Sequence, residues 1–254
     1  MESDLLATGA TYCRGRGYDV SYPDSGADPP GLATPTADAR PPFGPARPVA
    51  LDPVRGTDPT TVLSRVWTNQ GRERATLFVV SEAEAAETVT ELLTPPVGVR
   101  SEDARGCRVF FDGPDRVRLA EGGYAAVPAG DDVEWHEAPS ADPESEDKRL
   151  ELRAGAETLS VLDGVDHLDC PPRESFPYAY ERDEDKHIRV RDFLGRPVER
   201  YVGVKAMRAG GFAPVAAPLV PEHMFDGPVT DWWGVLVAGE DAVRTGGVRG
   251  RKGR

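Results

Sequence analysis

The fold is decided by residues 75–96, which read ATLFVVSEAEAAETVTELLTPP. The first six are apolar apart from one threonine and rich in β-branched and aromatic side chains, as in a strand buried on both faces. From Ser81 onward, small and apolar side chains recur every three or four residues until Pro95-Pro96. This change of period predicts an amphipathic helix over 82–93, with Ser81 and Glu84 as its capping box.

Shorter segments around this strand and helix show strand patterns. They are apolar or alternating runs separated by glycine, proline and acidic turns, and they cover residues 62–67, 107–111, 117–119, 124–127, 133–136, 150–154, 157–162, 176–181, 187–191, 198–204 and 232–237. Together they predict an α+β fold that is rich in β-structure, with a mixed or antiparallel sheet and one clear helix at 82–93.

The first 60 residues differ in composition from the remainder. Ten of the 24 prolines lie between residues 21 and 60, and Leu, Ile, Val and Phe make up 8 of the first 60 residues. Below roughly 20 % of these side chains, a segment cannot bury enough apolar surface to offset its loss of conformational entropy. We therefore predict a disordered or extended arm, rich in proline and glycine, over residues 1–60.

Changes of pattern also indicate how the remaining chain is divided. The stretch 131–147 holds eight acidic residues and no lysine or arginine, which is typical of a solvated loop between two parts of a fold. We predict a β-α-β-rich subdomain over 61–141, a β-meander subdomain over 142–240 and a basic tail over 241–254.

The charge balance limits the possible partners. The 254 residues include 43 acids and 30 bases, which give a net charge of −13. The electrostatic field of this negative charge repels nucleic acids and anionic membranes unless a local basic patch reverses it. No apolar run approaches the roughly 20 residues of a membrane-spanning helix, and the acidic start lacks the basic residues of an export signal. These features predict a cytoplasmic protein without a membrane partner, and they disfavour bulk nucleic-acid binding.

Lysine is scarce, because only 4 of the 30 basic residues are lysine. A GC-rich genome alone would deplete lysine, but scarce lysine together with a surplus of carboxylates is similar to the composition of proteins from halophilic archaea. At about 1 M salt the Debye length is near 3 Å, so that repulsion between surface carboxylates is screened. We therefore expect the chain to be more stable in concentrated KCl than in dilute buffer.

Two predicted strands near residue 185 carry candidate binding residues. On each strand, aromatic or basic side chains alternate with other residues and therefore share one face; the two sets are Tyr178, Tyr180 and Arg182, and His187, Arg189 and Arg191. If the strands pair across the acidic turn 183–185, these six side chains form a platform for an anion or for nucleic-acid bases. A solvated sheet face with cross-strand pairs is the alternative.

A predicted loop after residue 162 carries candidate metal ligands, namely Asp163, Asp166, His167 and Asp169. Carboxylate oxygens bind Ca²⁺ and Mg²⁺, and histidine binds zinc. The segment 134–137, with two glutamates and a histidine, forms a second cluster. Neither spacing matches an EF-hand or a zincin, so the sequence predicts solvated loops without a cofactor, and a divalent metal is the alternative.

No catalytic motif stands out from the sequence, which has neither a P-loop nor a Gly-x-Ser-x-Gly stretch. The extended arm and the charged tail instead suit contacts with a protein partner. We therefore expect a non-enzymatic interaction or regulatory protein. A metal-dependent hydrolase that uses the loop carboxylates, and a nucleic-acid accessory factor that uses the face of 178–191, remain alternatives.

Overall fold

The computed structural model describes residues 2–23, 29–54, 56–130, 132–140, 148–225 and 229–245. The chain divides into two compact units: unit 1 is Met1–Gly98 with Met224–Arg254, and unit 2 is Val99–His223. The predicted boundaries at residues 60 and 142 do not coincide with these limits. Asp142 lies outside the described residues, as do residues 246–254 of the predicted basic tail.

The described residues form five helices and many more strands. The helices are α1 Glu2–Arg14, α2 Pro59–Gln70, α3 Ala83–Leu93, α4 Val204–Ala209 and α5 Pro221–Met224. The strands are β1 Tyr18–Ser21, β2 Gly31–Pro35, β3 Val49–Pro53, β4 Ala75–Val80, β5 Val99–Glu102, β6 Arg108–Phe110, β7 Asp112–Arg116, β8 Tyr124–Pro128, β9 Val133–Pro139, β10 Lys148–Ala154, β11 Glu157–Leu162, β12 Tyr178–Arg182, β13 Ile188–Asp192, β14 Pro197–Tyr201, β15 Phe212–Pro214, β16 Ala216–Pro218, β17 Trp233–Val237 and β18 Val243–Arg244. This content confirms the β-rich α+β class. Among the described helices, none is long and apolar enough to cross a membrane.

Unit 1 is built on one mixed sheet, called sheet I, with the strand order β1-β2-β3-β4-β17-β18. The three central strands are parallel and the outer ones antiparallel. Every residue of β4 is buried, which confirms the prediction of a strand enclosed on both faces. The helix α1 packs closely on one face, because a side chain at Gly9 would meet Val79 Cγ2 at 2.8 Å.

The other face of sheet I is covered by α2 and α3. The amide of Asn69 on α2 donates a hydrogen bond to the hydroxyl of Thr76 on β4 at 3.0 Å. Since Thr76 and its neighbours in β4 point to opposite faces, α2 lies across the sheet from α1. The helix predicted over 82–93 is confirmed as α3, but its capping box is wrong: Glu82 is the N-cap and its side chain forms no capping bond.

The prediction of a strand at 62–67 is wrong, because these residues belong to α2. The Asp58 carboxylate caps the helix by accepting a hydrogen bond from the Thr61 backbone N–H at 2.8 Å, and a proline occupies the first turn. Four α2 residues are buried at helical spacing, Val62, Leu63, Val66 and Asn69. A short apolar run fits the period of a strand and the period of a helix equally well. Here the Asp-Pro pair before the run was the signal that indicated a helix.

The disordered arm over 1–60 is also wrong for the described residues 2–23 and 29–54, which form α1, β1, β2 and β3. The strand β3 pairs in parallel with β4 and is buried at four of its five positions. The average composition of a segment does not show that one of its strands pairs with an apolar strand elsewhere in the chain. In addition, Gly9 and Gly31 have no side chain, so the backbone at these positions lies close to the side chains of neighbouring elements.

Unit 2 contains two five-stranded antiparallel sheets and a two-stranded ribbon, β16-β7. Sheet II has the order β11-β10-β9-β6-β5, and sheet III has the order β14-β13-β12-β8-β15. Apolar side chains of both sheets form one core around Trp135 and Phe176. The predicted meander is confirmed by β12, β13 and β14, which pair in sequence, and α4 packs on the other face of sheet III through Met207. The strand predicted at 117–119 is instead a single bridge between Arg118 and Tyr124.

Candidate functional site

The predicted platform on β12 and β13 is split between two faces. In the antiparallel register, Tyr180 lies opposite Val190, whereas Arg189 lies opposite Glu181. Directly opposed residues share a face, so Tyr178, Tyr180 and Arg182 lie on one face of sheet III, and Arg189 and Arg191 lie on the other. His187 immediately precedes β13, whose first residue is Ile188. The strands pair as predicted, but the register separates the aromatic set from the basic set.

Both arginines of β13 have carboxylate partners. Arg189 lies 3.6 Å from Asp183, and Arg191 lies 3.1 Å from Glu181. The guanidinium of Arg182 donates to the Lys186 carbonyl at 3.0 Å. The face that carries Arg189 and Arg191 therefore shows ion pairs, as the alternative interpretation predicted, and Arg182 on the other face bonds to a backbone carbonyl.

The tyrosines are used in packing. Tyr180 stacks on Tyr124 with ring centroids 5.5 Å apart, and Tyr178 meets Phe212 edge-on at 4.8 Å. The Tyr180 hydroxyl accepts a hydrogen bond from Arg116 at 2.8 Å. Burial raises the pKa of Tyr180, so the phenol stays neutral.

The four predicted metal ligands do not converge. Asp163, Asp166, His167 and Asp169 are exposed along a short 3₁₀ turn and its flanks, and Asp169 lies 3.6 Å from His223. In the part of the chain that the structure describes, one group of three potential ligands comes together, Asp183, Asp185 and His187, with ligand atoms within 4.8 Å of one another.

The guanidinium of Arg200 already lies among these three side chains. It is 2.8 Å from Asp183, 2.7 Å from Asp185 and 3.4 Å from His187 Nδ1. The hydrogen bond from Arg200 holds the pKa of Asp183 below its usual value. An arginine therefore supplies the positive charge that a metal would bring, and the group is an ion-pair cluster.

In the second acidic cluster, 134–137, the last residue, Glu137, forms structural ion pairs. Glu137 is 3 % exposed and accepts hydrogen bonds from Arg108 at 2.6 and 3.1 Å and from Lys148 at 2.9 Å. Burial and the positive charge of Arg153 lower the pKa of His136, so that imidazole is mostly neutral. The carboxylate of Glu137 is thus fully engaged by cations of its own unit.

A groove in unit 1, which sequence reasoning missed, is lined by charged, polar and apolar residues. It lies between α1 and the turn that follows β17, has a volume of about 660 Å³, and is floored by the buried Leu236. Its polar lining consists of Thr8, Thr11, Tyr12, Arg16, Arg40, Glu240 and Asp241. We call it the α1 groove.

Two arginines in the lining of the α1 groove, Arg16 and Arg40, have neutral partners. Arg40 donates to the Gly15 carbonyl at 3.2 Å, and its backbone N–H donates to the Arg16 carbonyl at 2.8 Å. The Arg16 guanidinium lies 4.6 Å from the centre of the Tyr12 ring, a cation–π contact. Within the described residues, no carboxylate forms an ion pair with either arginine.

The rest of the lining offers hydrogen-bond acceptors. The Thr8 and Thr11 hydroxyls donate to backbone carbonyls at 2.9 and 2.8 Å, so their lone pairs are left to accept from a ligand. Glu240 and Asp241 come from the turn after β17, and Glu240 also lies 3.5 Å from Arg244.

The spacing of Thr8, Thr11, Tyr12 and Gly15 is that of one helix face, which was the available sequence signal for this groove. The prediction of a largely disordered or extended arm over 1–60 allowed a short ordered piece around Leu5 to Tyr22 but did not identify it as a helix. No protein-family model matches the chain, and no match is found among curated proteins or solved structures.

Proposed function

We propose that the chain is a non-enzymatic binding protein of regulatory type, whose ligand is a small molecule with a carboxylate or phosphate group bound in the α1 groove. The observation that carries this proposal is the pair Arg16 and Arg40, two arginines that line the same groove and have no carboxylate partner among the described residues, in a chain of net charge −13. A protein partner remains a prediction from the sequence.

The size of the α1 groove supports a small ligand. Its volume of about 660 Å³ falls within the roughly 300–1,000 Å³ of small-molecule sites. Guanidinium forks recognise carboxylate and phosphate oxygens through paired, charge-assisted hydrogen bonds. We place the anionic group of the ligand at Arg16 and Arg40 for this reason.

The carboxylates of the lining set the orientation of the ligand. Glu240 and Asp241 accept hydrogen bonds from hydroxyl or ammonium groups and repel a second anionic group. The α1 groove therefore favours molecules with one anionic end and one polar or cationic end over molecules with anionic groups at both ends.

The test is a calorimetric titration at low salt with matched pairs of probes. Each pair consists of a small carboxylate or phosphate monoester and its neutral amide or alcohol analogue. We expect anionic probes to bind and neutral analogues to fail, and R40Q to weaken binding at least tenfold. Arg40 is exposed, so its replacement leaves folding intact.

The control is R14Q, which removes an exposed charge from α1 outside the groove lining. We expect R14Q to bind the probes as the unaltered chain does. Equal weakening by R14Q and R40Q, or no binding of any anionic probe, contradicts the proposed function.

A further inference from the structure

The α1 groove carries charged residues of opposite sign, and the pairing of the strands shows that they come from opposite edges of sheet I. The positive residues are Arg16 and Arg40, which are joined to each other by a backbone hydrogen bond of 2.8 Å at the end of α1. The negative residues are Glu240 and Asp241 in the turn that follows β17. We call these two pairs the positive end and the negative end of the groove.

The positive end lies at the edge of sheet I where the parallel strands begin. The carbonyl of Gly17, which follows Arg16, accepts a hydrogen bond from the backbone N–H of Thr36 at 3.1 Å. The strand β2 is antiparallel to β3, with Ala33 opposite Val49, the first residue of β3. Because Thr36 comes three residues after Ala33, it lies beyond the start of β3, and the end of α1 is held there with it.

The negative end lies at the edge where the same parallel strands finish. Val237 is the last residue of β17 and pairs in parallel with Val80, the last residue of β4. The backbone N–H of Glu240 donates to the carbonyl of Val237 at 3.0 Å, so the turn closes directly after the strand. The groove therefore runs along α1 with arginines at one end and carboxylates at the other.

The length of the groove sets the length of a ligand that reaches both ends. The residues that α1 and its last turn contribute to the lining run from Ala7 to Gly15, a rise of about 12 Å at roughly 1.5 Å per residue. The two charged groups of such a ligand are thus on the order of 10 Å apart. In an α-amino acid both charged groups are bonded to one carbon, so that molecule reaches only one end.

The lining between the two ends is uncharged. It consists of Ala7, Thr8, Thr11, Tyr12, Gly15, Leu236 and Gly239. A charged group placed in this stretch would lose water without meeting a counter-ion, whereas an uncharged chain crosses it without that cost. The middle of the groove therefore suits the uncharged part of a ligand.

We propose that the ligand of the α1 groove is an elongated zwitterion, with its anionic group at the positive end, an ammonium group at the negative end and an uncharged linear chain between them. This inference rests on the proposed function, because it names the class of the anionic ligand. An ammonium is favoured over a hydroxyl because Asp241 forms no ion pair among the described residues and Glu240 has only Arg244 at 3.5 Å. Hydrogen bonds between charged groups are stronger than neutral ones.

The experiment is a calorimetric titration at low salt with probes that differ in length and in charge. The probes are 8-aminooctanoate, 3-aminopropanoate, octanoate and triglycine. We expect 8-aminooctanoate to bind about fivefold more tightly than octanoate, which lacks the ammonium, and than 3-aminopropanoate, which is too short to reach both ends. Triglycine is a long zwitterion with a peptide chain, and its affinity relative to 8-aminooctanoate shows whether the natural ligand is a peptide or an alkyl chain.

A double variant tests the negative end separately from the positive end. E240Q/D241N replaces two exposed carboxylates, and we expect it to bind 8-aminooctanoate no more tightly than octanoate, while octanoate binds as well as before. The matched control is E84Q/E91Q, which removes two exposed carboxylates of α3 on the other face of sheet I. This control should keep the full preference for 8-aminooctanoate.

The outcomes distinguish this inference from the proposed function. If octanoate binds and neither 8-aminooctanoate nor triglycine binds more tightly, the anion site stands and the elongated zwitterion is overturned. An unchanged preference for 8-aminooctanoate in E240Q/D241N also overturns it. If no anionic probe binds, the proposed function itself fails.

Discussion

Strand β4 of sheet I and the strands β9 and β10 of sheet II bury their polar groups in different ways. In sheet I, the central strand β4 is apolar except for Thr76, whose hydroxyl accepts a neutral hydrogen bond from Asn69 at 3.0 Å. In sheet II, two carboxylates are buried, Glu137 and Glu151, and each is held by two cations, Arg108 and Lys148 for the first and Arg149 and Arg153 for the second.

Because of this difference, β4 and sheet II should respond differently to mutations that change packing and to mutations or pH values that change charge. Burial of apolar groups does not depend on protonation, whereas a buried ion pair stabilises only while both partners are charged and present. Damage to packing should therefore cost most in β4. Changes of charge should act through the buried carboxylates, which are Glu137 and Glu151 in sheet II and Asp52 in β3, where Arg65 lies 3.5 Å away.

The largest expected effect comes from F78A in β4. Phe78 is fully buried, and removing a core phenyl group leaves a cavity that lowers the free energy of unfolding by about 4 kcal/mol. Urea denaturation followed by circular dichroism measures the loss. The same change at Phe193, which is 49 % exposed, is the matched control and should cost little; equal losses would contradict the enclosure of β4.

The next effect comes from E137Q in sheet II. The change leaves Arg108 without its buried counter-ion, and breaking a buried pair on one side lowers the free energy of unfolding by about 3 kcal/mol at neutral pH. In the control E134Q, the lost partner is Arg100, at 2.9 Å in an exposed pair, and such pairs contribute about 1 kcal/mol or less. A loss in E137Q no larger than in E134Q would show that sheet II does not depend on this buried pair.

The same variant reveals the pH dependence of sheet II. Burial alone would raise the pKa of Glu137, but hydrogen bonds from Arg108 and Lys148 outweigh it and hold the pKa below its ordinary value of 4.5. A lowered pKa in the folded state gives stabilisation that is complete above 4.5 and lost as pH falls through the folded-state pKa. The stability difference between the unaltered chain and E137Q should shrink below pH 4.5, whereas the effect of F78A should not follow this titration.

The smallest expected effect comes from T76V in sheet I. The valine removes the acceptor of the Asn69 amide in a buried position, which lowers the free energy of unfolding by about 1–2 kcal/mol. T34V, at an exposed position of β2, is the control and should be near neutral. Because the lost bond is neutral, the T76V effect should be the same at pH 4 and pH 7, and a pH-dependent loss would place a charged group in this contact.

The pattern of apolar and polar residues predicted those helices and strands whose characteristic residues lie within one continuous segment. The helix 82–93 repeats its apolar residues over enough turns to select one period, and the run 75–80 is short, apolar and rich in β-branched residues. The strands β10 and β11 and the meander 178–201 were also found from local patterns. The helix α2 was missed because its short apolar run fits both periods. The strand β3 was missed because its burial comes from a neighbour more than 20 residues away in sequence.

The candidate sites were not accessible to the same reasoning. The α1 groove joins residues near position 12 to residues near position 240. The register of β12 against β13 places Tyr180 and Arg189 on opposite faces of sheet III. Contacts between residues that are distant in sequence depend on which strands pair and in which register, and a local sequence pattern contains no information about either.

The sequence by itself determined the acidic charge, the β-rich composition of elements and the apolar strand on which sheet I is built, because charge is additive and side-chain direction follows from backbone geometry within a few residues. Only the tertiary structure decided which arginines have a carboxylate partner and which line a groove without one among the described residues. The reason is that ion pairing acts over a few ångströms in space, and that distance bears no fixed relation to separation along the chain.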